Sequence, residues 1–105
     1  MRRITEPAGR LRYAEDVAHL LELFYSDHCI GCPEARGLLR RLASDEPRLV
    51  VIERNIDNDA DYQLATEYRL IATPAFVIDR KAVMYGVPQP EKLTTRIAAS
   101  TPVLG

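Results

Sequence analysis

A chain of 105 residues is long enough for one domain around a single core, and too short for much else. Its hydrophobic share of 47% and charged share of 28% are those of an ordinary globular protein, and a net charge of −1 excludes a broad nucleic-acid or anionic-membrane surface. The longest apolar stretch is far too short to span a bilayer.

Residues 1–12 carry Arg2, Arg3, Arg10 and Arg12 with one proline and one glycine, and read as a loosely attached basic arm. No apolar core follows the basic start, as a secretory signal would require. Tyr13–His19 is expected to form a short helix, so the arm is taken as 1–19 and the folded domain as 20–105. Leu20–Tyr25 is an apolar run and reads as a buried strand.

Pro33 and Glu34 open the next helix, a proline and an acid both being favoured in a first turn. Ala35, Leu38, Leu39, Leu42 and Ala43 recur at helical spacing, with Arg36, Arg40 and Arg41 on the other face. Arg48–Ile52 is a β-branched run and predicts a second strand. Asp59 is expected to cap a helix running to about Tyr68, with Leu64, Ala65 and Tyr68 as its buried stripe. Ala75–Ile78 and Ala82–Tyr85 flank the turn Asp79-Arg80-Lys81 and predict a hairpin. Glu91–Ala99 predicts a last helix with Leu93 and Ile97 inward. The order β-α-β-α-β-β-α implies an α/β fold: a mixed sheet flanked by helices, with an antiparallel edge.

The residues that carry chemistry are Cys29-Ile30-Gly31-Cys32, the only cysteines in the chain. Two thiols this close, between a strand and a helix start, can close a small ring and exchange electron pairs. The other readings are an inert disulfide and a metal half-site. His28, Cys29 and Cys32 would offer three ligands where a closed zinc site needs four, and the other histidine, His19, lies before the strand. Free N–H groups at the helix start favour an anion, which marks Cys29 as the nucleophile, with its pKa lowered into the range of roughly 3.5–7.5. Cys32, one turn deeper, is the resolving thiol. Gly31 is expected to allow a tight turn and a close approach of substrate. His28 is a candidate for tuning the thiolate by adding positive charge. Glu22 and Glu53 flank the strands, and either would serve Cys32 as a proton shuttle if partly buried.

Four segments in order resemble the thioredoxin-fold thiol–disulfide oxidoreductases, most of all the small archaeal-type thioredoxin/glutaredoxin-like proteins. They are Phe24–Pro33, Asn55-Ile56-Asp57, Tyr68–Ile78 with its Thr73-Pro74, and Gly86. The likeness covers roughly residues 20–99 and implies a thioredoxin-like fold. It also implies that Thr73–Pro74 is a cis bond facing Cys29, an expectation opposite to the base rate of about 5–6% cis for X–Pro bonds. Thr73, Pro74, Ile30 and Gly31 would then contact an extended substrate segment.

Four departures stand against the likeness. Leu23 occupies the place of the buried aspartate of typical thioredoxins, Glu53 that of the nearby lysine, and His28 that of the tryptophan before the first cysteine. The glutathione-binding pattern of glutaredoxins is replaced by Gly86-Val87-Pro88-Gln89-Pro90. The expectation is a cytoplasmic, monomeric oxidoreductase acting on disulfide-containing proteins in cell redox homeostasis. It would bind no cofactor beyond the redox-active Cys29–Cys32 disulfide, no metal, no nucleic acid and no membrane. Electrons would come from an NADPH-linked flavin reductase or another thiol donor. A non-catalytic binding module and a reductase of a small oxidant remain the alternatives.

Overall fold

The computed structural model describes residues 17–104. The element order is β1 (Leu20–Tyr25), α1 (Cys32–Asp45), β2 (Val50–Asn55), α2 (Asp59–Glu67), β3 (Ala75–Ile78), β4 (Ala82–Tyr85) and α3 (Pro90–Ala99). The four strands form one sheet in the order β2-β1-β3-β4. β1 runs parallel to β2 and antiparallel to β3, and β3 and β4 form the antiparallel hairpin.

Strand alternation divides the core in two. Leu21 and Leu23 of β1 and Phe76 and Ile78 of β3 face α1 and α3, where Leu38, Leu39, Leu42, Leu93 and Ile97 cover them. Phe24, Ala75 and Val77 face the other way and are covered by Ala65, Leu64 and Tyr68 from α2 and its C-terminus. Tyr68 meets Phe24 edge to face at 5.7 Å between ring centres.

The element boundaries differ from expectation in instructive places. β2 begins at Val50 rather than Arg48 and runs on to Asn55, because every residue of β1 has a parallel partner there, Leu20↔Val50 through Tyr25↔Asn55. Glu53 and Arg54 fit this strand because each finds an opposite charge. The cap of α2 is Asn58 rather than Asp59: its side-chain Oδ1 accepts from Asp61 N–H at 3.1 Å, and Asp59 and Asp61 lie in the first turn. The arm expected over 1–19 has residues 1–16 outside the described residues. Val17–His19 are not helical as expected but extended along the body, where Ala18 bridges Leu104. Among the described residues no helix is long and apolar enough to cross a membrane.

Candidate functional site

β1 ends at Tyr25, and the chain must turn before α1 can cover the sheet. That turn holds the two cysteines. It is braced from the side by the segment after β2. Asp27 N–H donates to Asp57 Oδ2 at 2.9 Å, and Asn55 Nδ2 donates to Asp27 Oδ1 at 3.0 Å. Asp57 N–H in turn donates to Asn55 Oδ1 at 2.9 Å. The sequence alone marks Asn55-Ile56-Asp57 only by its likeness to the family. Its physical work is to hold the redox loop.

Cys29 and Cys32 are joined as a disulfide, with their Cα atoms 5.3 Å apart. Cys32 is the first residue of α1 and is 1% exposed, whereas Cys29 is half-buried. Ile30 between them is 98% exposed. Helix α1 therefore starts at the second cysteine, with Pro33 and Glu34 in its first turn and Gly31 as its N-cap. This places Cys29 next to the positive end of the helix. Cys32 N–H donates to Cys29 O at 3.3 Å, so the chain does turn tightly here, but Gly31 has φ −81° and ψ −7°, a conformation any residue adopts, and the turn does not need glycine's freedom. What the glycine provides is space: an added Cβ would lie 3.6 Å from Pro74 Cδ and 3.7 Å from Val87 Cγ2.

Pro74 thus packs against the redox loop. The Thr73–Pro74 peptide is cis, Pro74 is buried and Thr73 half-buried. Pro74 O accepts from Gly86 N–H at 2.9 Å, and Gly86 has φ +83°, where glycine is the unstrained choice. Cys29, Ile30, Gly31, Cys32, Thr73 and Pro74 are accordingly brought to one end of the sheet. His28 joins them in sequence only: it is exposed in the loop, with no hydrogen bond to another described residue.

The two acids considered for Cys32 are otherwise engaged. Glu22 is buried on the α2 face of the sheet, away from α1. There it accepts from Arg54 Nε and from the Tyr68 hydroxyl, both at 2.9 Å. Glu53, the strand partner of Leu23, accepts from Arg40 Nε at 2.8 Å and from Arg36 Nε at 3.1 Å. The Arg40 hydrogen bond, opposed by burial and reinforced by Arg36, holds the Glu53 carboxyl below the usual carboxylate range. It is a carboxylate that keeps its charge rather than a proton carrier. Arg36 also lies 4.4 Å from the Tyr25 ring centre, so the arginines of α1 tie the helix to the strands beneath it. Among the described residues no cluster of three or more His, Cys, Asp or Glu side chains could hold a metal ion.

No family model matches the chain. It is 34% identical over 77 residues to a thioredoxin of Methanocaldococcus jannaschii, covering 73% of this chain and 89% of that protein. It is 28% identical over 74 residues to a probable thioredoxin of Archaeoglobus fulgidus, covering 70% and 80%. Among solved structures, the germline-specific thioredoxin Deadhead of Drosophila melanogaster superposes with a TM-score of 0.67 at 26% identity, covering 85% of this chain and 87% of that one. A Fasciola hepatica thioredoxin superposes at 0.69 with 20% identity, covering 86% and 88%, and speaks for the fold alone. With a closed Cys-x-x-Cys pair at the head of α1 and a thioredoxin-like sheet beneath it, the chain belongs to the thioredoxin family and is a thiol–disulfide oxidoreductase.

Proposed function

We propose that Cys29 is the attacking thiol and Cys32 the resolving thiol in the reduction of protein disulfides. The observation that carries the reading is the contrast between the two sulfurs at one helix start. Cys29 is reachable from solvent, and Cys32 is sealed below it. The reduced Cys29 thiolate attacks one sulfur of a substrate disulfide. A mixed disulfide forms and the other substrate sulfur leaves as a thiolate. Cys32 thiolate then attacks Cys29 sulfur, releasing the second substrate thiolate and leaving the Cys29–Cys32 disulfide. Two electrons have passed to the substrate.

Thr73 and Pro74, with Ile30 and Gly31, are the surface for an extended substrate segment. The missing side chain at Gly31, where the loop meets Pro74, and the exposed Ile30 support this. Family membership implies protein disulfides as substrates and a reductase partner. The specific donor we infer is an NADPH-linked flavin reductase or another thiol, with the protein working as a cytoplasmic monomer in cell redox homeostasis and without a bound cofactor. His28 remains a candidate for raising the local positive potential when protonated. Insulin-disulfide reduction by dithiothreitol tests the reading. Wild type is expected to accelerate it and Cys29→Ser to be silent; equal rates would refute it.

A further inference from the structure

The loop from Leu70 to Pro74 has no strand ladder to hold it, yet it carries the segment beside the disulfide. Backbone fixes its two ends. Leu70 N–H donates to Ala65 O at 3.0 Å, and Gly86 N–H donates to Pro74 O at 2.9 Å. Between those ends, Ile71 N–H donates to the Tyr85 hydroxyl at 3.3 Å. Tyr85 is the last residue of β4, paired with Ala75, and its side chain lies at the rim, 43% exposed. Ile71 is 85% exposed, an apolar side chain held out in water. It also borders a recess of about 240 Å³, lined with it by Phe24, Ile56, Tyr62, Leu70 and Thr73 among others.

We propose that Tyr85 is a positioning residue for protein substrates: its hydroxyl holds the Ile71 backbone so that the Ile71 side chain stands as a preset apolar contact beside Thr73 and Pro74. The substrates favoured are those whose reacting cysteine is flanked by apolar residues. This rests on the reading of Thr73 and Pro74 as the substrate-contacting segment. A side chain that is already in place loses less freedom when a partner lands on it, so the benefit falls on binding. The hydroxyl is engaged with Ile71, so the sulfur exchange itself proceeds without it.

The test compares wild type, Tyr85→Phe and Ile71→Ala. Rates are measured on insulin and on a small aromatic disulfide, 5,5′-dithiobis(2-nitrobenzoate), with amide hydrogen exchange followed in parallel. The loss of one hydrogen bond in Tyr85→Phe is expected to speed Ile71 amide exchange about threefold to tenfold and to raise the insulin KM by a similar factor. The insulin kcat, the small-disulfide rate and the Gly86 amide are expected to stay at wild-type values. Ile71→Ala is expected to raise the insulin KM likewise, and the double variant to add little to either single one. Unchanged Ile71 exchange in Tyr85→Phe would overturn the strut. Faster exchange with an unchanged insulin KM would overturn the positioning role. A wild type no better than Cys29→Ser on insulin would overturn the underlying substrate reading, and the positioning role with it; the wild-type insulin rate tells that failure from the other two.

Discussion

His19 Nδ1 and Asp79 Oδ2 stand 2.6 Å apart at the end of the sheet opposite the disulfide. Asp79 is fully buried, and its other oxygen accepts from Leu20 N–H at 2.8 Å and Val103 N–H at 3.4 Å. One carboxylate therefore joins the start of β1, the hairpin turn and the C-terminal tail. Burial pushes its pKa up. Hydrogen bonds from His19, Leu20 N–H and Ser100, with the attraction of His19, outweigh that and hold it below the usual carboxylate range. A depressed carboxyl contributes stability above its unfolded pKa, and the contribution is lost as pH falls through the lower folded value. Asp79→Asn is expected to cost about 2–4 kcal/mol at neutral pH. The gap to wild type in urea unfolding should narrow between about pH 5 and about pH 2. A gap that does not change with pH would refute this role.

Among the described residues, three other than glycine sit at positive φ: Arg69 at 59°, Asp79 at 51° and Arg80 at 63°. Arg69 closes α2 with Leu70 N–H on Ala65 O and its own N–H on Thr66 O, the paired bonds of a helix end that favours glycine. Asp79 and Arg80 lead the three-residue hairpin connection Asp79-Arg80-Lys81, closed by Lys81 N–H on Ile78 O at 3.0 Å. Asp79 is held there by its side-chain hydrogen bonds, whereas neither arginine side chain has a hydrogen bond to another described residue. Arg69→Gly and Arg80→Gly should each raise stability by about 1 kcal/mol, whereas Arg41→Gly within α1 should lower it by about the same. Thermal melting of the three variants decides it, and a loss of stability in either of the first two would count against the account.

The Tyr68 hydroxyl is pinned between the sheet and α2. Burial first, and then its hydrogen bond to the Glu22 carboxylate and that charge, push its pKa up to about 12. A raised phenol contributes stability below its unfolded pKa, and the contribution is lost as pH rises through the folded value. In an ultraviolet titration Tyr68 should therefore ionise after the exposed tyrosines. Tyr68→Phe should remove that late step and cost about 1–2 kcal/mol near neutrality. A titration curve in which the late step survives the substitution would contradict the assignment.

Gly31 tests whether the missing side chain, rather than backbone freedom, is what the site uses. An added methyl would make ordinary contacts with Pro74 and Val87, and the backbone is already helical. Gly31→Ala should change stability by less than about 1 kcal/mol. It should lower kcat/KM for insulin more than the rate with a small disulfide. Unfolding of the variant, or equal losses on both substrates, would contradict this.

Much of the fold was legible because hydrophobic period and turn residues agreed. The hairpin matched at both strands, and the inward stripes of α1 and α3 are the ones their spacing predicts. β2 was misplaced because Glu53 and Arg54 look like the end of a strand until their partners on α1 and β1 are known. The cysteines and Thr73-Pro74 stood out by residue type and chain order. The hydroxyl of Tyr85 on Ile71 joins groups 14 residues apart, and no local pattern announces it. Nothing local marks Glu22 as buried for the same reason: its burial depends on Arg54 and Tyr68, which reach it only in the folded sheet.

The division of labour between the two sulfurs is the central claim, and mixed-disulfide trapping tests it most directly. Cys32→Ser and Cys29→Ser are each exposed to an oxidised protein substrate and run on non-reducing gels. Cys32→Ser should accumulate a covalent complex that dithiothreitol dissolves, while Cys29→Ser should give none. A complex held by Cys29→Ser and absent from Cys32→Ser would contradict the account.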